Sequence, residues 1–175
     1  MQVNRKALVV YYSRSGTTSR LADVLAGMLP ADCEPIRERA GPARREGVRG
    51  FARSIADVVW RRRVELEPSW FDVSRYEIVV IGTPVWANCA CAPVATWLAE
   101  HARQLRHVAF FCSEGSHGSE KAFTQMSQLA RISPVATCAV SARDLHTMRD
   151  YALLNAFAAK VRRRLAALET IEWTL

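Results

Sequence analysis

The stretch Ala7-Leu8-Val9-Val10-Tyr11-Tyr12-Ser13-Arg14-Ser15-Gly16-Thr17-Thr18 decides the fold. Its first half is continuously apolar and β-branched rather than alternating, as in a strand buried on both faces. It then breaks abruptly into hydroxyls and a glycine. From Thr18 to Leu29 the apolar residues Leu21, Leu25 and Met28 return at helical spacing, with Val24 and Leu29 beside them, and Pro30 ends the run. Buried strand, tight polar turn and amphipathic helix form the opening half of a βαβ unit.

Working outward, the same alternation continues to the end of the chain. Cys33 to Arg37 reads as a short strand that Pro35 confines to a sheet edge. Gly41 to Gly50 is a polar connection. Phe51 to Arg62 carries Phe51, Ile55, Val58 and Val59 on one stripe, the pattern of an amphipathic helix with a basic outer face. Glu67 to Arg75 is a loop. Ile78 to Gly82, Val108 to Cys112 and Val135 to Val140 are further buried-type strands. Helices are expected from Pro93 to Ala102, with proline in the first turn, after the cap Ser119, and from Tyr151 to Leu168. Apolar strands alternating with helices predict a three-layer α/β/α sandwich around a parallel sheet. At 175 residues, with no repeat or interdomain linker, residues 1–175 are read as a single domain, with an Arg-rich helical segment at about 37–63.

Composition narrows the functional classes. Half of the residues are hydrophobic, yet no apolar run approaches the roughly 20 needed to span a bilayer. No signal-peptide pattern is read at the start, so the expected compartment is the cytoplasm and no membrane partner is expected. The five cysteines are odd in number, and Cys89 and Cys91 are too close in sequence for relaxed disulfide geometry. No second Cys or His pair accompanies them, so no metal site is assigned. The net charge of +7 is uneven: Arg37 to Arg63 holds nine arginines against three acids. Such a segment favours anionic partners. It carries no recognised nucleic-acid motif and few interleaved aromatics, so nucleic acid is disfavoured.

In a doubly wound sheet, ligands bind beyond the carboxyl ends of the strands. Three loops there stand out. Ser13, Arg14, Ser15, Gly16, Thr17 and Thr18 place four hydroxyls and a glycine before a helix, where backbone N–H groups and the helix dipole favour an anion such as phosphate. A hydroxyl-rich helix cap would read the same way in isolation. Neither GxxxxGK[ST] nor GxGxxG is present, which disfavours Walker and dinucleotide sites. The second loop, Gly82 to Asn88, contains Thr83, Pro84, Val85, Trp86 and Ala87. An exposed Trp86 there would offer a flat face to a planar ring, whereas a packed one would belong to the core. The third loop runs Ser113, Glu114, Gly115, Ser116, His117, Gly118, and its small residues leave backbone N–H groups open to a ligand.

Together, YYSRSGTT, YEIVVIGTPVWA and FFCSEGSHG resemble the flavodoxin family over nearly the whole chain. The resemblance implies a five-stranded parallel sheet of order 2-1-3-4-5 and the short-chain type, because Val135 to Val140 carries no long insertion. It implies FMN as cofactor. The first loop would hold the phosphate; Thr83 to Ala87 would flank the flavin ring on one side, and Ser113, Glu114, Gly115, His117 and Gly118 on the other. The loop has SGTT where the familiar flavodoxin pattern reads TGNT, so hydroxyl donors replace an asparagine. The third loop lacks a tyrosine, and His117 is its one ring. Flavodoxins are usually acidic near the flavin, whereas this chain is basic.

The function implied is electron transfer through bound FMN, with no catalytic side chain assigned because the flavin carries the chemistry. The alternative is an FMN-dependent NAD(P)H or quinone oxidoreductase. A third reading is a basic binding module in which FMN acts as a sensor. The partners expected are an acidic redox protein or, for the alternative, NAD(P)H or a quinone.

Overall fold

The computed structural model describes residues 6–39 and 63–172. The Gly41–Gly50 connection and the helix expected over Phe51–Arg62, and with them most of the Arg-rich segment, lie outside the described residues. The first strand, β1 (Ala7–Tyr11), leads into helix α1 (Thr17–Met28) and then β2 (Asp32–Pro35). After residue 63 come β3 (Ile78–Trp86), the short β4 (Cys89–Ala90), α2 (Ala92–His101) and β5 (His107–Glu114). The chain closes with α3 (Ser119–Ala130), β6 (Thr137–Ser141), α4 (Ala142–His146) and α5 (Asp150–Glu172).

Five strands run parallel in the order β2-β1-β3-β5-β6, and β4 pairs antiparallel with β3. The expected order is therefore found, with a sixth strand added as a hairpin. Strand β2, with Pro35 as its last residue, sits at the edge as its sequence predicts. Because both faces of the central strands are covered, successive residues feed two cores. Leu8, Val10, Val79, Ile81 and Phe110 meet Val94, Trp97 and Leu98 of α2 and Met126 of α3. Val9, Val80 and Phe111 meet Leu21 and Leu25 of α1 and Phe157 and Val161 of α5 on the other face. Each fully buried side chain of this size contributes about 1.5–3 kcal/mol relative to exposure.

Strand β3 differs from its sequence reading. The segment from Gly82 to Trp86 is strand, not loop: Gly82, Thr83 and Pro84 continue the parallel register opposite Phe111, Cys112 and Ser113. The turn follows at Ala87 and Asn88, whose φ values of 49° and 61° are the doubly left-handed pair of a two-residue hairpin. Ala87 is an unusual residue for that position, which is why the turn is not visible in the sequence. Gly82 is required by close approach: a Cβ there would lie 2.1 Å from the ring tip of Phe111.

Candidate functional site

The loop after β1 is closed by Ser13, whose Oγ accepts the Gly16 N–H at 3.1 Å. Gly16 stands at φ 89°, a left-handed conformation that suits glycine, and α1 starts directly behind it. No side chain caps this helix, and its first turn contains no acid. The first-turn N–H groups and the positive end of the dipole therefore face the loop without a side-chain acceptor. Thr18 is buried, and its Oγ1 lies 2.8 Å from Ser113 Oγ, tying the loop to the end of β5.

Around this pair lies a cleft of about 220 Å³. Arg14, Ser15, Thr17 and Thr18 form one side. Pro84, Val85 and Trp86 come from β3, and Ser113, Glu114 and Gly115 from β5 and its exit. Ala142 and Leu145 of α4 close the remaining edge. Trp86 is only 8% exposed. Its ring meets Tyr12 edge-on, with centroids 6.0 Å apart, and the Arg14 guanidinium lies over it at 5.7 Å from the centroid. Of the two alternatives, an exposed ring or a packed one, the structure shows the packed ring, which nonetheless lines the cleft. The Glu114 carboxylate is engaged at the start of α3, accepting from Ser119 N at 2.8 Å and Ser119 Oγ at 3.3 Å.

Residues 6–137 match the family model described as Flavodoxin. The chain belongs to the flavodoxin family. Among solved structures it is similar to a protein from Bacteroides eggerthii described as a flavoprotein, at 21% identity and a TM-score of 0.67, over 87% of this chain and 98% of that one. It is also similar to a Lactobacillus acidophilus flavoprotein in complex with FMN, at 18% identity and a TM-score of 0.63, over 82% and 97% of the two chains. The two-electron reduced flavodoxin of Megasphaera elsdenii gives 18% identity and a TM-score of 0.54, over 87% and 98%. At these identities the likeness is one of fold. No match is found among curated proteins.

In this flavodoxin-family chain, ten of the sixteen candidate positions line one cleft. The other six stand elsewhere. Ser13 and Gly16 line a second cavity of about 550 Å³, together with Tyr11, Tyr12 and Ile36. Thr83 is fully buried; its hydroxyl donates to Pro84 O at 2.9 Å and accepts from Cys91 N at 3.0 Å, pinning the hairpin. Ala87 is in the turn. His117 is exposed and pairs its Nδ1 with Ser116 Oγ at 2.8 Å, outside the cleft lining. Gly118 starts α3.

The sequence reading missed Ala142 and Leu145. Their signal was present: Ser141 and Asp144 have capping-box spacing, and both reciprocal bonds form. Those bonds hold the Asp144 carboxyl below the usual carboxylate range, with Arg149 and Arg143 assisting. Among the described residues no group of three or more His, Cys, Asp or Glu is arranged to hold a metal, and no helix is long and apolar enough to cross a membrane.

Proposed function

We propose that the chain binds FMN in this cleft and transfers electrons through it. The observation that carries the reading is the uncapped, acid-free start of α1, set beside the Thr18–Ser113 hydroxyl pair at the end of the parallel sheet. A phosphate group needs converging donors, and here backbone N–H groups, hydroxyls and the helix dipole converge with no acid in the first turn of α1, while the Glu114 carboxylate is engaged by Ser119. The donor set therefore fits a flavin monophosphate. Ser15, Thr17 and Thr18 would hold the phosphate, while Pro84, Val85 and Trp86 would border the ring. FMN, when bound, supplies a ring that accepts and donates one or two electrons. The residues bind and orient that ring, and the apolar walls of Val85, Trp86 and Leu145 shield part of it from water.

Titrating flavin-free protein with FMN, FAD and riboflavin tests the reading by flavin fluorescence. FMN is expected to bind tightest and FAD poorly, because the cleft offers one phosphate-sized donor set. Equal affinity for riboflavin and FMN would overturn the phosphate assignment.

A second reading, an FMN-dependent NAD(P)H or quinone reductase, is favoured by the neighbouring cavity. At about 550 Å³ it has the size of a small-molecule site and adjoins the same loop. Anaerobic mixing of FMN-loaded protein with NADH or NADPH separates the two. Rapid loss of flavin absorbance identifies a reductase, and its absence a carrier.

A further inference from the structure

We propose that the small cavity between the end of β2 and the loop before β3 binds a primary ammonium group, with Glu34 as its anchor. The inference is independent of the flavin reading. Glu34 stands opposite Val10 in the β1–β2 pairing and is only 2% exposed. Its Oε2 accepts the Trp70 N–H at 2.6 Å, whereas its buried Oε1 has no hydrogen-bond partner among the described residues. Glu34 lines a cavity of about 10 Å³, whose described walls include Arg37, Glu67, Ser69, Trp70 and Trp97.

The N–H donors of these walls are engaged elsewhere. Trp97 Nε1 donates to Ser69 Oγ at 3.2 Å, and the guanidinium of the exposed Arg37 lies over the Trp70 ring, 4.7 Å from its centroid. A buried carboxylate oxygen without a donor is unfavourable, and more so without a counter-charge. The missing donor must therefore be positive, and the volume limits it to about the size of one water molecule. Hard metal cations need about six or more oxygen ligands, which walls containing two indoles do not supply. An ammonium head matches the size of water, brings several N–H donors and accepts an aromatic wall. Glu34 Oε1 would take one of its N–H groups, Ser69 Oγ keeps a lone pair for a second, and Glu67 adds negative charge. Glu67 and Trp70 are exposed, so the tail of a longer amine would leave on their side.

The test uses the full-length chain at neutral pH and constant ionic strength. Ammonium, methylammonium and n-butylammonium chloride are the probes, and sodium, potassium and tetramethylammonium chloride the controls. Because Trp70 and Trp97 wall the cavity, tryptophan emission should change saturably with ammonium and methylammonium and not with the controls. The melting temperature should rise with the same concentration dependence. n-Butylammonium, which reproduces the end of a lysine side chain, separates the sources. Its binding supports a lysine head presented by another protein, and its exclusion supports free ammonium or methylammonium. Glu34→Gln keeps the shape and removes the charge, and should weaken ammonium at least about tenfold. Glu67→Gln should weaken it by a smaller factor. Trp70→Phe should keep the rise in melting temperature and reduce the change in emission. An equal response to sodium or potassium, no saturable response to any ammonium probe, or an unchanged response in Glu34→Gln overturns the proposal and leaves water as the partner of Oε1. If Glu34→Gln does not fold, the ion series on the unaltered chain decides alone.

Discussion

Thr18 is where a single side chain tests the proposed phosphate contact. Its hydroxyl is buried against Ser113 at the cleft floor, so Thr18→Val removes one donor while keeping the shape. The variant should weaken FMN by about 0.5–1.5 kcal/mol, more if the lost bond meets a charged oxygen, and leave riboflavin nearly unchanged. Comparing the two dissociation constants checks it. In the proposed arrangement Trp86 borders the flavin ring. Trp86→Ala should raise the emission of bound flavin and loosen it, because an aromatic pair adds roughly 0.5–1.5 kcal/mol beyond burial. It should also lower the unfolding free energy by about 3–5 kcal/mol, as for other buried aromatics, so affinity is measured well below the melting temperature. The thiols act through protonation. Burial, aided by nearby carboxylates, pushes Cys33 and Cys138 up to about 11 from 9.0. The folded chain thus keeps protons that the unfolded chain releases. Their contribution is complete below pH 9 and is lost as pH rises towards 11. Denaturant melts from pH 8 to 11 should show this loss, and Cys33→Ala with Cys138→Ala should lessen it without abolishing it, because burial also raises Cys112 and Tyr76.

Among the elements, β3 is the one on which the site depends most. Gly82→Ala would drive a methyl group into the Phe111 ring across the β3–β5 pairing, displacing the neighbouring Thr83 and Pro84 as well. Overpacking of this kind costs about 1–3 kcal/mol. A lower melting temperature together with weaker flavin binding is expected, and a wild-type melting curve would show that Phe111 can move aside. The same strand shows where the sequence was legible and where it was not. Its buried half, Ile78 to Ile81, is announced by continuous apolar residues. Its outer half runs past Gly82, where the sequence reading ended the strand, and Pro84 keeps parallel register with Ser113. The hairpin is invisible because Ala87 adopts a conformation that sequence rules reserve for glycine or asparagine. Helix α4, at five residues, is too short to show periodicity, so Leu145 was missed. By contrast α1 and its loop were legible to within one residue, because strand, turn and helix signals coincide there. Which loop residues share the cleft depends on side-chain direction at the strand ends, and composition does not encode that. Ser13 and Thr18 carry equivalent hydroxyls, yet they face different cavities.

At the scale of the whole molecule, charge is the property left to explain. The chain carries +7, and most of the excess lies between Arg37 and Arg63. Both flanks of that segment are fixed on the described side of the sheet: Glu67 N donates to Arg37 O at 2.9 Å, and Arg39 N to Glu65 O at 2.9 Å. These clasps follow directly on β2 and border the cavity shared with Tyr12 and Ser13, at the strand ends where the cleft opens. Of the arginines in this segment, Arg37 and Arg39 are therefore held beside the end of β2, with Arg37 on the wall of that cavity. A positive rim accelerates encounter with an acidic partner and opposes a basic one. The rate of reduction by an acidic redox protein should accordingly fall as ionic strength rises, since exposed charges are screened within about 8 Å at physiological salt. Reversing Arg44, Arg45 and Arg49 to Glu should slow the reaction at low salt and flatten its salt dependence, with FMN affinity little changed. Stopped-flow reduction over a range of chloride concentrations measures both quantities. A triple variant that keeps the wild-type rate and slope would place the docking surface elsewhere, with the cleft-side Arg14 and the exposed Arg143 and Arg149 as the next charges to reverse.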